Sequence, residues 1–132
     1  LVAFDASGNL KVPHIIGFTS TPTIATSTGA GASATSTIAG TDLSGLIQVN
    51  TFSADTPSAN ADIVTINFNK AYGSAPYCTI VPANDATWAL TYGIWRYRQS
   101  DTTTTIFKIR SGTSPLTATT NAVYAWVYTC TQ

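Results

Sequence analysis

An all-β fold, an antiparallel β-sandwich, is what this chain predicts, and three observations carry the prediction. Composition comes first: there is no Glu and no Met, about a quarter of the residues are Ser or Thr, and all six acids are Asp. Hydroxyl and β-branched residues suit strands, while Asp suits turns and resists helix interiors. Second, apolar residues alternate with polar ones at period two, most clearly Val64, Ile66 and Phe68 against Thr65, Asn67 and Asn69. Third, turn formers interrupt the apolar runs roughly every dozen residues, the spacing of a sandwich or barrel.

The first element is a hairpin: Val2-Ala3-Phe4 and Leu10-Lys11-Val12 flank the turn text Asp5-Ala6-Ser7-Gly8-Asn9, and Pro13 ends the second strand. Residues 1–21 read as this hairpin or connector, and residues 22–132 as the sandwich head. In the head, strands are expected near Thr23–Thr28, Ser33–Ala39, Leu46–Thr51, Ala61–Phe68, Tyr77–Val81, Leu90–Arg98, Thr104–Arg110 and Val123–Thr129. Gly40, Gly45, Gly73 and Gly112, with Pro57, Pro76 and Pro115, punctuate them. Helix is confined to a turn or two around Asn84–Trp88. The Ser/Thr/Gly/Ala-rich text from Pro22 to Thr51 is read as ordered strand, because Ile24, Ile38, Leu43, Leu46, Ile47 and Val49 recur within it.

At 132 residues the chain can bury a core as one domain. Charged residues make up only 9%, against about 25% in an average soluble domain, which favours an oligomer that hides surface. The small-residue strands of Thr21–Thr51 are the expected subunit contacts. Net charge is zero, so the whole-molecule field directs the chain neither to nucleic acid nor to an anionic membrane. No apolar run approaches the roughly 20 residues that span a bilayer. Leu1–Phe4 runs directly into Asp5 and does not read as a signal peptide; the missing initial Met suggests a processed product or a fragment.

Catalytic constellations are sparse. His14 is the one histidine and no Ser or Cys is marked as its partner, although three copies of it could meet around a metal or anion in a trimer. Asp5, Asp42, Asp55, Asp62, Asp85 and Asp101 fall in or beside turn text, where Asp bonds local backbone N–H groups. Gly29-Ala30-Gly31 lacks the following helix that a phosphate cradle needs. No enzyme, cofactor or metal is expected. Cys78 and Cys130 fall in different strands; two buried thiols is the favoured reading, and a disulfide is the alternative that sequence leaves open.

The most specific constellation is basic and aromatic. Four of the six cations are Arg96, Arg98, Lys108 and Arg110, in two successive strands. Alternation puts Arg96 and Arg98 opposite Trp95 and Tyr97, and Lys108 and Arg110 opposite Phe107 and Ile109. If the aromatic sides join one core, all four cations share an outer face and call for a compensating anion, either an Asp or an acidic ligand. Trp88, in loop text, and Tyr92 add aromatic surface on which a sugar could stack. The candidate binding residues are therefore Trp88, Tyr92, Arg96, Arg98, Lys108 and Arg110.

From Pro22 onward a series of segments, in order, resembles a recurring C-terminal domain of bacteriophage tail fibres and related virion proteins. They are Gly29-Ala30-Gly31, Gly40-Thr41-Asp42, Gly45-x-Ile47-x-Val49-x-Thr51, Val64-x-Ile66-x-Phe68, Ala71-Tyr72, Pro76, Val81-Pro82-Ala83-Asn84, Phe107-Lys108-Ile109-Arg110 and Tyr124-Ala125-Trp126-x-Tyr128. Phe4–Leu10 is similar to text along fibre shafts. The resemblance implies a β-sandwich head, assembled as a homotrimer on the virion, that attaches the phage to a host-cell surface receptor without catalysis. A bacterial surface glycan and other virion proteins are the implied partners, and the host cytoplasm the place of assembly. A capsid decoration or fibre-capping module without a receptor is the alternative. The two cysteines and the aromatic stretch Trp88–Tyr97 depart from plainer relatives.

Overall fold

A computed structural model describes residues 3–4, 7, 10–11, 20–90, 94–118 and 121–132. Strands β1 (Ala3–Phe4) and β2 (Leu10–Lys11) pair antiparallel, as the turn text between them predicts, in a two-stranded sheet of their own. His14 lies outside the described residues.

Among the described residues eight further strands follow: β3 (Thr23–Thr26), β4 (Thr35–Gly40), β5 (Ser44–Thr51), β6 (Asp62–Asn67), β7 (Tyr77–Pro82), β8 (Trp95–Tyr97), β9 (Ile106–Ser111) and β10 (Ala122–Thr131). Each coincides with an expected strand. The largest difference is at the predicted strand Leu90–Arg98: residues 91–93 lie outside the described ones, β8 covers Trp95–Tyr97, and Leu90, Ile94 and Arg98 are not in the strand. The strands form two antiparallel four-stranded sheets, ordered β4-β5-β10-β7 and β3-β6-β9-β8, that pack together as a sandwich. A single helical turn, α1 (Asp85–Trp88), links β7 toward β8.

Period-two alternation fills the space between the sheets. β10 turns Tyr124, Trp126, Tyr128 and Cys130 inward and Val123, Val127 and Thr129 outward. Trp126 meets Trp95 of the facing sheet with ring centroids 5.9 Å apart, and Tyr128 meets Phe107 at 5.4 Å. Ile47, Val49, Ile66 and Ile109 are fully buried around them. Burying each such side chain contributes on the order of 2–3 kcal/mol.

The motifs of the first half prove to be turns held from a distance. Gly31 has φ +112, and a Cβ there would strike the Asp55 side chain. The Asp55 carboxylate accepts from the backbone N–H of Ser33 at 2.7 Å and of Phe52 at 2.9 Å. The Phe52 N–H, ahead of that of Ser33, holds the Asp55 carboxyl below its ordinary value, against the opposing effect of burial. In the β4–β5 corner, buried Asp42 accepts from the N–H groups of Asn69 (2.7 Å) and Lys70 (2.8 Å) beyond β6. Tyr72 donates to the Asp42 carbonyl at 2.9 Å, and Tyr128 donates to the Thr41 carbonyl. Gly45 lets the Tyr128 ring lie against the backbone; a Cβ would come within 2.7 Å of it. Burial pushes the Tyr128 phenol well above its ordinary range, and Asp42 and Tyr72 add to the shift.

Cys78 and Cys130 are joined in a disulfide, which corrects the favoured reading of two buried thiols. The cause is register: Cys130 faces Cys78 directly across β10 and β7, with Cα atoms 4.0 Å apart. Cys130 N–H donates away from β7, to the Leu43 carbonyl at 2.8 Å, so this is a non-hydrogen-bonded pair, the closer of the two antiparallel spacings.

Candidate functional site

The outer face of the β3-β6-β9-β8 sheet collects the four cations, as strand parity predicts. Trp95 and Tyr97 turn inward, onto Trp126 and Phe107 respectively. Arg96 lies opposite Arg110 across β8 and β9, and Arg110 lies opposite Asp62 across β9 and β6. Like charges in adjacent register are unfavourable, and two carboxylates relieve them.

Asp62 is the main relief. Its Oδ2 lies 2.7 Å from Lys108 Nζ and its Oδ1 lies 3.0 Å from Arg110 Nε. Strict alternation would aim Asp62 inward, with Val64 and Ile66. A bulge prevents this: Asp62 pairs with Arg110 while Val64 pairs with Ile109, so Ile63 is an extra residue. Ile63 and Val64 are both buried, and Asp62 emerges among the cations. Asp101 is the second relief, in a one-turn 3-10 helix, Gln99–Asp101, directly after β8. Its Oδ2 lies 3.4 Å from Arg110 Nη1 and 3.9 Å from Arg98 Nε. The expectation that the aspartates bond local backbone N–H groups holds for Asp55, through Phe52; Asp42 instead holds the distant N–H groups of Asn69 and Lys70, and Asp62 and Asp101 pair with cations.

The cations are not held alike. Lys108 and Arg110 are ion-paired and largely covered, and Arg110 Nη2 also donates to the Asn60 carbonyl at 3.0 Å. Among the described residues Arg96 makes a single side-chain bond, Nη2 donating to Asn60 Oδ1 at 3.2 Å. The Arg98 side chain is half exposed and only loosely paired to Asp101. Four cations against two carboxylates leave a net positive face on a molecule of zero net charge.

Trp88 belongs elsewhere. It is carried by α1, which packs on β10 and β7 of the other sheet. Asn84 caps this turn, accepting from Thr87 N–H at 3.0 Å, and donates through Nδ2 to the Val123 carbonyl. Thr87 is buried and its Oγ1 accepts from Ala125 N–H at 2.7 Å. Trp88 is left 70% exposed. The structure therefore assembles Arg96, Arg98, Lys108 and Arg110 and sets Trp88 on a separate support. Tyr92 lies outside the described residues.

Sequence reasoning missed Asp62, Asp101 and Asn60. Asp101, three residues after Arg98, carries a legible signal; Asp62 does not, because the bulge reverses its parity. Among the described residues no group of three or more His, Cys or Asp side chains could hold a metal ion, and no helix is long and apolar enough to cross a membrane. No family model, curated protein or solved structure matches the chain.

Proposed function

We propose that this chain is a non-enzymatic virion fibre tip, a sandwich head that attaches a bacteriophage to a host-cell surface glycan. The observation that supports it best is the net positive outer face of the β3-β6-β9-β8 sheet, where Arg96, Lys108 and Arg110 stand on paired strands and Arg98 directly follows β8. Bacterial envelopes present phosphates and acidic sugars, and Arg pairs with both bidentately. Lys108 and Arg110, held by Asp62, form the fixed floor of this face. Arg96 and Arg98, with guanidinium donors to spare, make the first contacts. Trp88 offers a second, apolar contact for a sugar ring. Catalysis has no part in this reading, since backbone N–H groups occupy Asp42 and Asp55 and cations occupy Asp62 and Asp101. The head assembles as a homotrimer on the virion surface. The Cys78–Cys130 bridge fits such a location, which meets an oxidising exterior, whereas a host cytoplasm keeps thiols reduced.

Fluorescent protein applied to a panel of intact bacteria, and to an array of neutral, acidic and phosphorylated glycans, tests the reading. Arg96→Ala and Arg98→Ala, each folded, are expected to weaken binding at least tenfold, the loss of a central anchor. Added salt should weaken the wild type as well. A second reading, a structural virion module without a receptor, draws on the ion pairs of Asp62 and Asp101, which already answer much of the charge. It expects no cell or glycan binding and no effect of either variant; that result would displace the first reading.

A further inference from the structure

The two sheets differ in charge as sharply as two faces of one small domain can. In β6, β8 and β9 stand Asp62, Arg96, Lys108 and Arg110. In β4, β5, β7 and β10, the whole of the other sheet, there is no Asp, Glu, Lys or Arg. An antiparallel sheet with one face in water normally carries charge on that face, for solubility and against edge pairing. This one carries Thr, Gln, Asn and aliphatic residues.

Its exposed residues are also the wrong ones for solvent. Among the described residues the exposed large hydrophobics are Tyr77, Val81, Trp88, Val123 and Val127, and every one lies in β7, in β10 or on α1 beside them. Register sets the aliphatic ones in a band. Val127 pairs with Val81 on one side and Leu46 on the other, and Leu46 pairs with Ala39, so an apolar row crosses all four strands. Beside it is a depression of about 250 Å³ lined by Thr35, Thr37, Gln48, Asn50 and Val123. Asn50 Oδ1 is buried there and finds no donor among the described residues.

We infer that the outer face of the β4-β5-β10-β7 sheet is where copies of this chain meet one another. Charge decides the occupant. A partner bringing Lys, Arg, Asp or Glu to this face would strip water from those charges with nothing to pair them. The partner must be uncharged and partly apolar itself, with neutral donors for groups such as Asn50 Oδ1. The same face of the other two copies, turned together about a threefold axis, meets each requirement. Four strands about 4.8 Å apart and about 25 Å long present on the order of 500 Å² in projection. Side-chain relief, with Trp88 at the border, raises the accessible area toward the ~800 Å² per partner of a stable interface. The cationic sheet then points away from the contact, free for a ligand. The inference rests on the assembly proposed above and names its surface: of the small-residue strands, β4 and β5 take part and β3 does not.

Light scattering and sedimentation of the whole chain across the micromolar range test it. Val127→Asp and Val81→Asp each put a charge on the apolar row, and Ala25→Asp puts the same charge on exposed β3 of the other sheet. The wild type and Ala25→Asp are expected to be oligomers of equal mass. Val127→Asp and Val81→Asp, with unchanged circular dichroism, should dissociate at concentrations at least tenfold higher. A monomeric wild type overturns both the assembly and its surface. An oligomer that persists in both row variants overturns the surface alone. Should the row variants fail to fold, oxidative footprinting of the wild type decides: Tyr77 and Val127 must be protected on assembly, and equal modification in dilute and concentrated protein overturns the inference.

Discussion

Replacing Cys78 and Cys130 together with alanine removes a bridge that spans 52 residues of chain. In the unfolded chain, closing a loop of that size lowers the entropy by an amount worth about 4 kcal/mol at 25 °C. The two missing sulfurs also leave a small gap between buried neighbours, for about 1 kcal/mol more. Against a total stability of about 5–15 kcal/mol for a single domain, that is a large fraction. The strand pairing itself survives in the variant. Cys78 and Cys130 oppose each other at a non-hydrogen-bonded position, so the β7–β10 ladder loses no backbone bond. Cys78 N–H keeps its acceptor, the Tyr97 hydroxyl at 3.3 Å, which in turn bonds Thr102 Oγ1 and Gln99. The expected result in urea is therefore still a single two-state transition, somewhat steeper than that of the wild type because the unlinked denatured chain exposes more surface. At a slope of roughly 2 kcal/mol per molar, the combined loss of about 5 kcal/mol lowers its midpoint by about 2.5 M. Wild-type protein under strong reductant should fall by nearly as much. A midpoint shift below about 0.5 M, well outside what loop closure allows, would refute this account of the bridge.

Two further perturbations bear on the carboxylates. Asp62→Ala leaves Lys108 and Arg110 without their shared partner on a face already positive; the pair is partly covered, so the loss in thermal or urea unfolding should be about 2 kcal/mol, between the values for exposed and buried pairs. The gap between variant and wild type should narrow in high salt, and a loss under about 0.5 kcal/mol would mean the ion pairs are idle. Asp55 titrates below its ordinary value when folded, so its contribution is complete at neutral pH and is lost as pH falls through and below about 4. Asp55→Asn, which can accept through one oxygen only, should be less stable than wild type at pH 7, and the difference should shrink in the acid range; a constant difference from pH 7 to pH 2 would contradict the assignment.

Much of the fold is written locally. Alternation at Val64–Asn69 and at Phe107–Arg110 requires no partner strand to be visible, because a pleated backbone sends successive side chains to opposite sides. That rule alone placed Arg96, Arg98, Lys108 and Arg110 on one outer face and Trp95, Tyr97 and Phe107 on the inner one. The hairpin at β1–β2 and the helical turn capped by Asn84 are equally local, set by turn residues a few positions apart. Three features were beyond such reading. The bulge at Ile63 arises only when β6 is laid against β9, and it alone turns Asp62 toward the cations. Cys78 and Cys130 can bond because β7 and β10, 52 residues apart at those positions, align in one register. Trp88 stands apart from the arginines because α1 closes over β10, a strand that begins more than thirty residues later in the chain. Parity is a property of one strand; the sheet a strand joins, the register it takes and the charge it meets belong to pairs of strands distant in sequence, and only tertiary packing selects them.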